Sequence, residues 1–215
     1  MTTPDMVLLI GNKNLSSWSL RPWLVLKHYG IHFAEDHVRL DVPAERATIA
    51  MRTPAGWIPV LWHNDEPVWD SFAICEYLAD LFPEYQMWPE DARARAVARS
   101  ITAEMHSGFG HLRNEMEMRF AEEGLQVTSS EGCTQNLLRI QSIWNDVRAA
   151  FGADGPFLFG KFSIADAFYA PVVSRFRTYG VRSEGAAAEY AATMWALPSM
   201  QQWFKGAQAE LLEAE

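Results

Sequence analysis

Two adjacent polar residues, Asp70 and Ser71, lie where a predicted strand is followed by a predicted helix. Val68-Trp69 precedes them, and apolar side chains then recur at helical spacing, at Phe72, Cys75, Leu78, Ala79 and Phe82. Aspartate and serine both suit the N-cap of a helix. Because the first N–H groups of a helix have no internal partner and carry partial positive charge, this corner can also hold a carboxylate ligand. The residues alone leave both interpretations open.

The hydroxyl groups of Ser16 and Ser17 form a second candidate pair. They precede a segment with helical spacing that contains Pro22. Proline costs no hydrogen bond only in the first turn of a helix, so we predict that this helix has Ser19 as its N-cap and ends at Gly30. Ser16 and Ser17 would then lie in a loop, just before a positively polarised helix end.

Pro59 follows Ile58 at the start of a predicted strand, where its missing N–H is tolerated. A cis bond here would leave the preceding backbone free to pair with an extended peptide. Only ~5–6% of X-Pro bonds in folded proteins are cis. From the residues alone we therefore predict a trans bond.

The composition limits the classes of function. The chain has 215 residues, a net charge of -9 and a pI near 5.2, which argues against nucleic acid or an anionic membrane as the main partner. No apolar run approaches the ~20 residues of a membrane span, and the start lacks a signal-peptide pattern, so we predict a cytoplasmic protein. Cys75 and Cys133 form no CxxC pair and no metal-binding spacing is present, so we predict neither a dithiol site nor a metal.

Hydrophobic periodicity divides the chain into two domains. Residues 1–83 predict the order β-α-β-α-β-β-α, a compact mixed α/β domain. Residues 84–91 lack periodicity and contain proline, which predicts a linker, and residues 92–215 predict only helices. Within this helical domain, Ser163 and Asp166 have the spacing of an acidic capping box, with Pro171 inside the helix that follows.

The order of these motifs resembles that of the cytosolic glutathione S-transferase family, most closely its serine-type zeta and theta branches and a bacterial type of subfamily. Four matches carry the resemblance across nearly the whole chain: the loop Ser16–Arg21, similar to the SSCSWR run of zeta enzymes, then Ile58-Pro59, Asp70-Ser71, and Ser163–Asp166 with Pro171. The resemblance implies a thioredoxin-like α/β N-terminal domain, an all-α helical C-terminal domain and a homodimer.

The resemblance also implies glutathione as co-substrate. Pro59 would be cis, the Ile58 backbone would pair with the cysteinyl part, and Asp70 and Ser71 would bind the γ-glutamyl end. Ser16, or alternatively Ser17, would be catalytic by donating a hydrogen bond to the sulfur. Lowering the thiol pKa from ~8.5 by about two units requires roughly 2.7 kcal/mol. A charge-assisted hydroxyl bond, ~1.5–3 kcal/mol, can supply most of this.

The electrophile is expected to be small and apolar and to lie between the domains. Trp18 stands where zeta enzymes have cysteine. This departure leaves conjugation, isomerisation and the reduction of disulfides or peroxides open. We expect Trp18 and Phe109 at the acceptor pocket, and Arg175 or Arg177 facing an acidic substrate. A non-catalytic binding protein with the same fold is the alternative from another class.

Overall fold

The computed structural model describes residues 6–214, and its first part is a mixed four-stranded sheet with helices. The strand order is β2-β1-β3-β4, with β2 parallel to β1 and with β3 antiparallel to both β1 and β4. This is the predicted thioredoxin-like arrangement. The elements are β1 (Met6–Gly11), α1 (Ser17–His28), β2 (Ala34–Val38), α2 (Pro43–Arg46), α3 (Ile49–Arg52), β3 (Val60–His63), β4 (Glu66–Val68) and α4 (Ser71–Leu81).

Strand β1 is buried on both faces. Leu8 and Ile10 belong to the main core, whereas Leu9 packs with Val38 and Ile49 in a small second cluster. Alternate side chains of a strand point to opposite faces, so the continuous apolar run fills two separate layers. The sheet is therefore a covered platform from which the loops at its edge project.

The second part is entirely helical, as predicted. After a 3-10 turn at Pro83–Tyr85, helices α5 and α6 are separated at Gly108 and Phe109, and the Phe109 backbone has a φ of 58°. The next helix has Ser130 as its N-cap. The elements are α5 (Ala92–Ser107), α6 (Gly110–Glu115), α7 (Glu131–Phe151), α8 (Ile164–Thr178), α9 (Gly185–Ala196) and α10 (Pro198–Ala214).

The start of α1 differs from the prediction. Ser16, not Ser19, is the N-cap, since its Oγ accepts a hydrogen bond from the Ser19 N–H at 3.3 Å. Pro22 therefore lies beyond the first turn, where it removes one backbone hydrogen bond. Trp18 consequently belongs to the helix, one turn before Arg21 and on the same side.

The two parts share one hydrophobic core, in which α1 packs against α8. A hydrogen bond from the Tyr29 hydroxyl to the Phe162 carbonyl, 2.9 Å long, also joins them. Within residues 6–214, no helix is long and apolar enough to cross a membrane.

Candidate functional site

A pocket of about 450 Å³ lies at the edge of the sheet, beside the start of α4. Its volume is within the ~300–1,000 Å³ typical of small-molecule sites. The Ile58–Pro59 peptide bond on its wall is cis, as the resemblance implied and contrary to the expectation from the residues alone; the Trp69–Asp70 bond is also cis. The lining residues are Trp18, Ala55, Trp57, Ile58, Pro59, Trp69, Asp70 and Ser71.

The N-terminus of α4 forms one side of the pocket. Asp70 is the N-cap, and its carboxylate accepts hydrogen bonds from the N–H groups of Phe72 at 2.9 Å and Ala73 at 3.3 Å. Ser71 is fully buried, and its Oγ has no hydrogen-bond partner among the described residues. Burying a hydroxyl without a hydrogen-bond partner costs free energy, because the group gives up the hydrogen bonds that it makes with water in the unfolded chain. Asp70 therefore has a structural role already, whereas the Ser71 hydroxyl is unused.

The predicted serine pair adjoins the pocket but does not line it. The Ser16 Oγ lies 2.7 Å from the Ser19 Oγ, which also accepts a hydrogen bond from the Gly11 N–H at 3.1 Å. Ser16 is buried, and Ser17 is half-buried with no side-chain hydrogen bond recorded in residues 6–214. Trp18, the next residue, is part of the pocket wall. The serines are thus at the border of the pocket, at the start of α1.

Helix α10 holds the loop that carries these serines. The Glu210 carboxylate accepts hydrogen bonds from the backbone N–H groups of Lys13 at 2.7 Å and Asn14 at 3.0 Å. The indole N–H of Trp203 donates to the Lys13 carbonyl at 2.7 Å. Loop backbone groups that would otherwise need water are therefore satisfied by the helical domain.

The helical domain also contributes His106 to the site, a residue that the sequence analysis missed. Its Nε2 lies 3.0 Å from Asp70 Oδ2, and its ring meets Trp18 edge-on at a centroid distance of 5.3 Å. Burial lowers the pKa of His106, which favours the neutral ring at pH 7. A neutral His106 can donate its Nε2 hydrogen to Asp70, so it links α5 to the N-cap of α4.

Two further cations that the sequence analysis missed flank Trp18. The guanidinium carbons of Arg21 and Arg113 lie 4.2 Å and 4.8 Å from its ring centroid. Arg21 is also 4.6 Å from the ring of Phe168. No local motif distinguishes Arg21 from the surface arginines of other helices. It is buried because α1 is covered by both the sheet and α8.

Three of the predicted substrate-binding residues lie outside the pocket wall. Phe109 is buried in the core, so its ring packs against apolar neighbours. Arg175 is buried and donates to the carbonyls of Met116 and Pro171, at 2.7 Å and 3.1 Å, which fixes it inside the helical domain.

Arg177 lies at a different pocket, which Trp195 also lines. It makes an ion pair with Glu123 and stacks over Trp195, at a centroid distance of 4.3 Å. These contacts hold it away from the pocket beside α4.

Neither cysteine belongs to a reactive site within residues 6–214. Burial raises the pKa of the Cys75 thiol, which therefore stays protonated, and Cys133 is also buried. Among residues 6–214, no group of three or more histidine, cysteine, aspartate or glutamate residues could hold a metal ion.

Comparison with known proteins gives matches in both domains. The model of the glutathione S-transferase N-terminal domain matches residues 15–81, and that of the C-terminal domain matches residues 91–206. Glutathione S-transferase 1 of Dianthus caryophyllus is 32% identical over 125 residues, 57% of this chain and 55% of that protein. A probable maleylacetoacetate isomerase of Caenorhabditis elegans is 30% identical over 116 residues, 53% of this chain and 52% of that protein. The chain thus spans about half the length of these curated relatives.

Solved structures share the fold over nearly the full chain. A glutathione transferase homologue from Burkholderia, with bound glutathione, has a TM-score of 0.72 at 24% identity and covers 95% of this chain and 98% of its own. The β-etherase LigF of Sphingobium has a TM-score of 0.66 at 18% identity, covering 94% of this chain and 99% of its own. At these identities the likeness concerns the fold. The family models match most of the sequence, so the chain belongs to the glutathione S-transferase family.

Proposed function

We propose that this chain is a glutathione transferase that binds glutathione in the pocket beside α4 and activates its thiol with a serine hydroxyl. Membership of the family supports glutathione as the co-substrate. The observation that carries the binding mode is the Ser71 Oγ, which is fully buried, unpartnered and located at a helix N-terminus. A carboxylate is the ligand that such a hydroxyl binds best at the positive end of a helix, where Asp70 already accepts the N–H groups of Phe72 and Ala73.

The γ-glutamyl and cysteinyl parts of glutathione would bind to different parts of this pocket. Its γ-glutamyl carboxylate would accept hydrogen bonds from Ser71, and the neighbouring ammonium group would lie near the Asp70 carboxylate. Its cysteinyl backbone would pair with the main chain of Ile58 as an added strand, because the cis Ile58–Pro59 bond lies on the same wall. This orientation directs the sulfur toward the start of α1.

A short chain of hydroxyl groups supports Ser16 as the donor to the sulfur. In the structure the Ser16 Oγ donates to the Ser19 Oγ, 2.7 Å away, and the Ser19 Oγ also accepts the Gly11 N–H. Because hydroxyl hydrogens rotate, a bound sulfur can reverse this bond, so that the Ser19 proton is donated to the Ser16 Oγ. Ser16 would then accept from both the N–H and the O–H of Ser19 and donate its proton to the thiolate. Hydroxyl hydrogens rotate to suit their partners, and consecutive hydrogen bonds strengthen one another. In this scheme Ser19 is a positioning residue.

Ser17 is the alternative donor, since its hydroxyl is half-buried and uncommitted. Ultraviolet difference titration of bound glutathione distinguishes the two serines. Replacing the donor with alanine should raise the thiol pKa by about one to two units, the loss of a charge-assisted hydrogen bond of ~1.5–3 kcal/mol. Ser16→Asn is the matched control for Ser16→Ala, because asparagine retains an N-cap oxygen but lacks the hydroxyl.

We expect Ser16→Ala and Ser16→Asn to raise the pKa equally and Ser17→Ala to leave it unchanged. The reverse pattern would transfer the catalytic role to Ser17. A bound thiol that titrates in the wild type as it does in water would exclude thiol activation and favour a non-catalytic binding protein. A homodimer in the cytoplasm remains part of the proposal, and sedimentation equilibrium measures the oligomeric state directly.

A further inference from the structure

Arg21 is a buried cation with unsatisfied donors. Only 2% of the residue is exposed, and its Nε and Nη1 have no hydrogen-bond partner among the described residues. Burial and the charges of Arg113 and Arg175 lower the pKa of Arg21, so its charged form is disfavoured in this position. Buried charges in proteins are ordinarily paired or hydrogen-bonded. This guanidinium is therefore a position at which a ligand could supply the missing acceptors.

The aromatic rings around Arg21 do not supply that partner. Trp18 and Phe168 lie 4.2 Å and 4.6 Å from its guanidinium carbon. A ring attracts a cation through its face, with ~2 kcal/mol when the pair is desolvated. The N–H donors of a stacked guanidinium, however, point outward in its own plane, so they stay available for a planar acceptor.

Arg113 and Arg175 extend the positive charge across the domain boundary. Arg113 lies 4.8 Å from the centroid of Trp18, and its Nη2 donates to the carbonyls of Met105 and His106. Arg175 likewise donates to carbonyls. Among residues 6–214, none of these three arginines makes an ion pair with a carboxylate, although the chain contains 27 acidic residues.

We propose that the second substrate is a flat, anionic electrophile whose carboxylate binds Arg21 and Arg113 while its unsaturated body lies against the edge of Trp18. Trp18 contacts both guanidinium groups and also lines the pocket beside α4, so the two ligands would lie side by side. Carboxylates match the guanidinium fork in a bidentate manner. The inference rests on the proposed function. It makes the electrophile anionic instead of apolar, and it assigns the recognition of an acidic group to Arg21 and Arg113 instead of Arg175 or Arg177.

A chloronitrobenzoate represents this substrate class. The glutathione thiol first loses its proton to solvent. The thiolate sulfur then attacks the carbon that bears chlorine, a C–S bond forms, the C–Cl bond breaks, and chloride leaves with the electron pair. The carboxylate is unchanged throughout, so it can serve as a handle for the two arginines.

The test compares two conjugates by isothermal titration calorimetry. S-(4-carboxy-2-nitrophenyl)glutathione carries the anionic group, and S-(4-carbamoyl-2-nitrophenyl)glutathione is its neutral analogue. We expect the carboxylate conjugate to bind about tenfold more tightly to the wild type, and this preference to fall to about twofold or less in Arg113→Gln and Arg21→Met. Arg93→Gln is the matched control, since this exposed arginine of α5 carries the same charge and its loss should leave the preference intact.

S-methylglutathione separates the failure of this inference from that of the proposed function. If it binds and the two conjugates bind equally, the anionic electrophile is excluded while the glutathione site stands. If Arg113→Gln and Arg21→Met weaken S-methylglutathione as much as the carboxylate conjugate, the arginines serve glutathione itself and the inference is overturned. If no glutathione derivative binds the wild type, both proposals fail.

Discussion

The start of α8 and the cleft around Trp18 both bury polar groups, but only the first satisfies them. The Asp166 carboxylate accepts hydrogen bonds from the N–H groups of Leu158 and Ser163, at 3.1 Å and 2.8 Å, and from the Ser163 hydroxyl at 3.0 Å. Around Trp18, by contrast, donors of Arg21 and the Ser71 hydroxyl lack hydrogen-bond partners within residues 6–214. Fully paired buried groups stabilise a fold, whereas unpaired ones destabilise it and are retained where a ligand completes them.

The comparison is tested most strongly by removing the paired carboxylate. Asp166→Ala leaves two backbone N–H groups and one hydroxyl buried without an acceptor. We expect the free energy of unfolding to fall by about 3–5 kcal/mol, because several buried donors lose their partner together. Urea denaturation measures the change, and a loss below ~1 kcal/mol would contradict the structural role of this network.

The same carboxylate predicts a pH dependence of stability. Burial raises the pKa of Asp166 to about 6, from an ordinary value near 3.8, despite three hydrogen bonds that favour the anion. The native state then holds its proton more tightly than the unfolded state. This contribution to stability is therefore fully present below pH ~4 and is lost as the pH rises through 6, about 3 kcal/mol in all. The test is to measure the unfolding free energy of the wild type and of Asp166→Asn from pH 4 to 7. The wild-type value minus the Asp166→Asn value should decrease by about 3 kcal/mol over this range. A difference that stays constant or rises would refute the shifted pKa.

Removing the unpaired cation should have the opposite sign. Arg21→Met retains much of the side-chain volume but eliminates a buried charge without an ionic partner. We expect the unfolding free energy to rise by about 1–3 kcal/mol, because replacing buried charge with well-packed apolar atoms is commonly stabilising. Thermal and urea unfolding test this, and a clear destabilisation would mean that stacking between Trp18 and Phe168 outweighs the cost of burying the charge.

Ser71 and Ser163, each at the start of a helix, allow the two regions to be compared with single hydroxyl groups. Ser71→Ala should leave the unfolding free energy nearly unchanged and weaken glutathione about tenfold, the value of one hydrogen bond to a charged group. Ser163→Ala should do the reverse, with a loss of about 1 kcal/mol in stability and no effect on glutathione. Calorimetric titration gives the glutathione affinity of each variant, and urea denaturation gives its free energy of unfolding. If the two substitutions weakened glutathione binding equally, the distinction between the ligand-binding serine and the structural serine would be refuted.

These two regions also mark how far sequence reasoning extends. The capping box was predictable because Ser163 and Asp166 are three residues apart and interact through local backbone geometry. Asp70 as a helix cap and the division into an α/β and a helical domain follow from similarly local patterns. The cis peptide bond before Pro59 could not be predicted from local patterns, because X-Pro bonds are mostly trans. Only the family resemblance indicated a cis bond.

The clustering of basic side chains around Trp18 could not be predicted from the sequence, for a different reason. Arg21 occupies a helix position that an isolated helix would expose, and it is buried only because α8 packs over α1. His106 and Arg113 come from distant helices, so no spacing in the sequence links them to Trp18. The N-cap of α1 is also Ser16 instead of the predicted Ser19, so Ser17 and Trp18 belong to the helix. Tertiary contacts of this kind decide which charges become functional groups.

The most direct measurement is the crystal structure of this protein with bound glutathione. Our account predicts the γ-glutamyl carboxylate within hydrogen-bonding distance of the Ser71 Oγ, the cysteinyl backbone paired with Ile58, and the sulfur within reach of the Ser16 or Ser17 hydroxyl. Glutathione located elsewhere, or a sulfur distant from both hydroxyls while Ser71 keeps no partner, would contradict it.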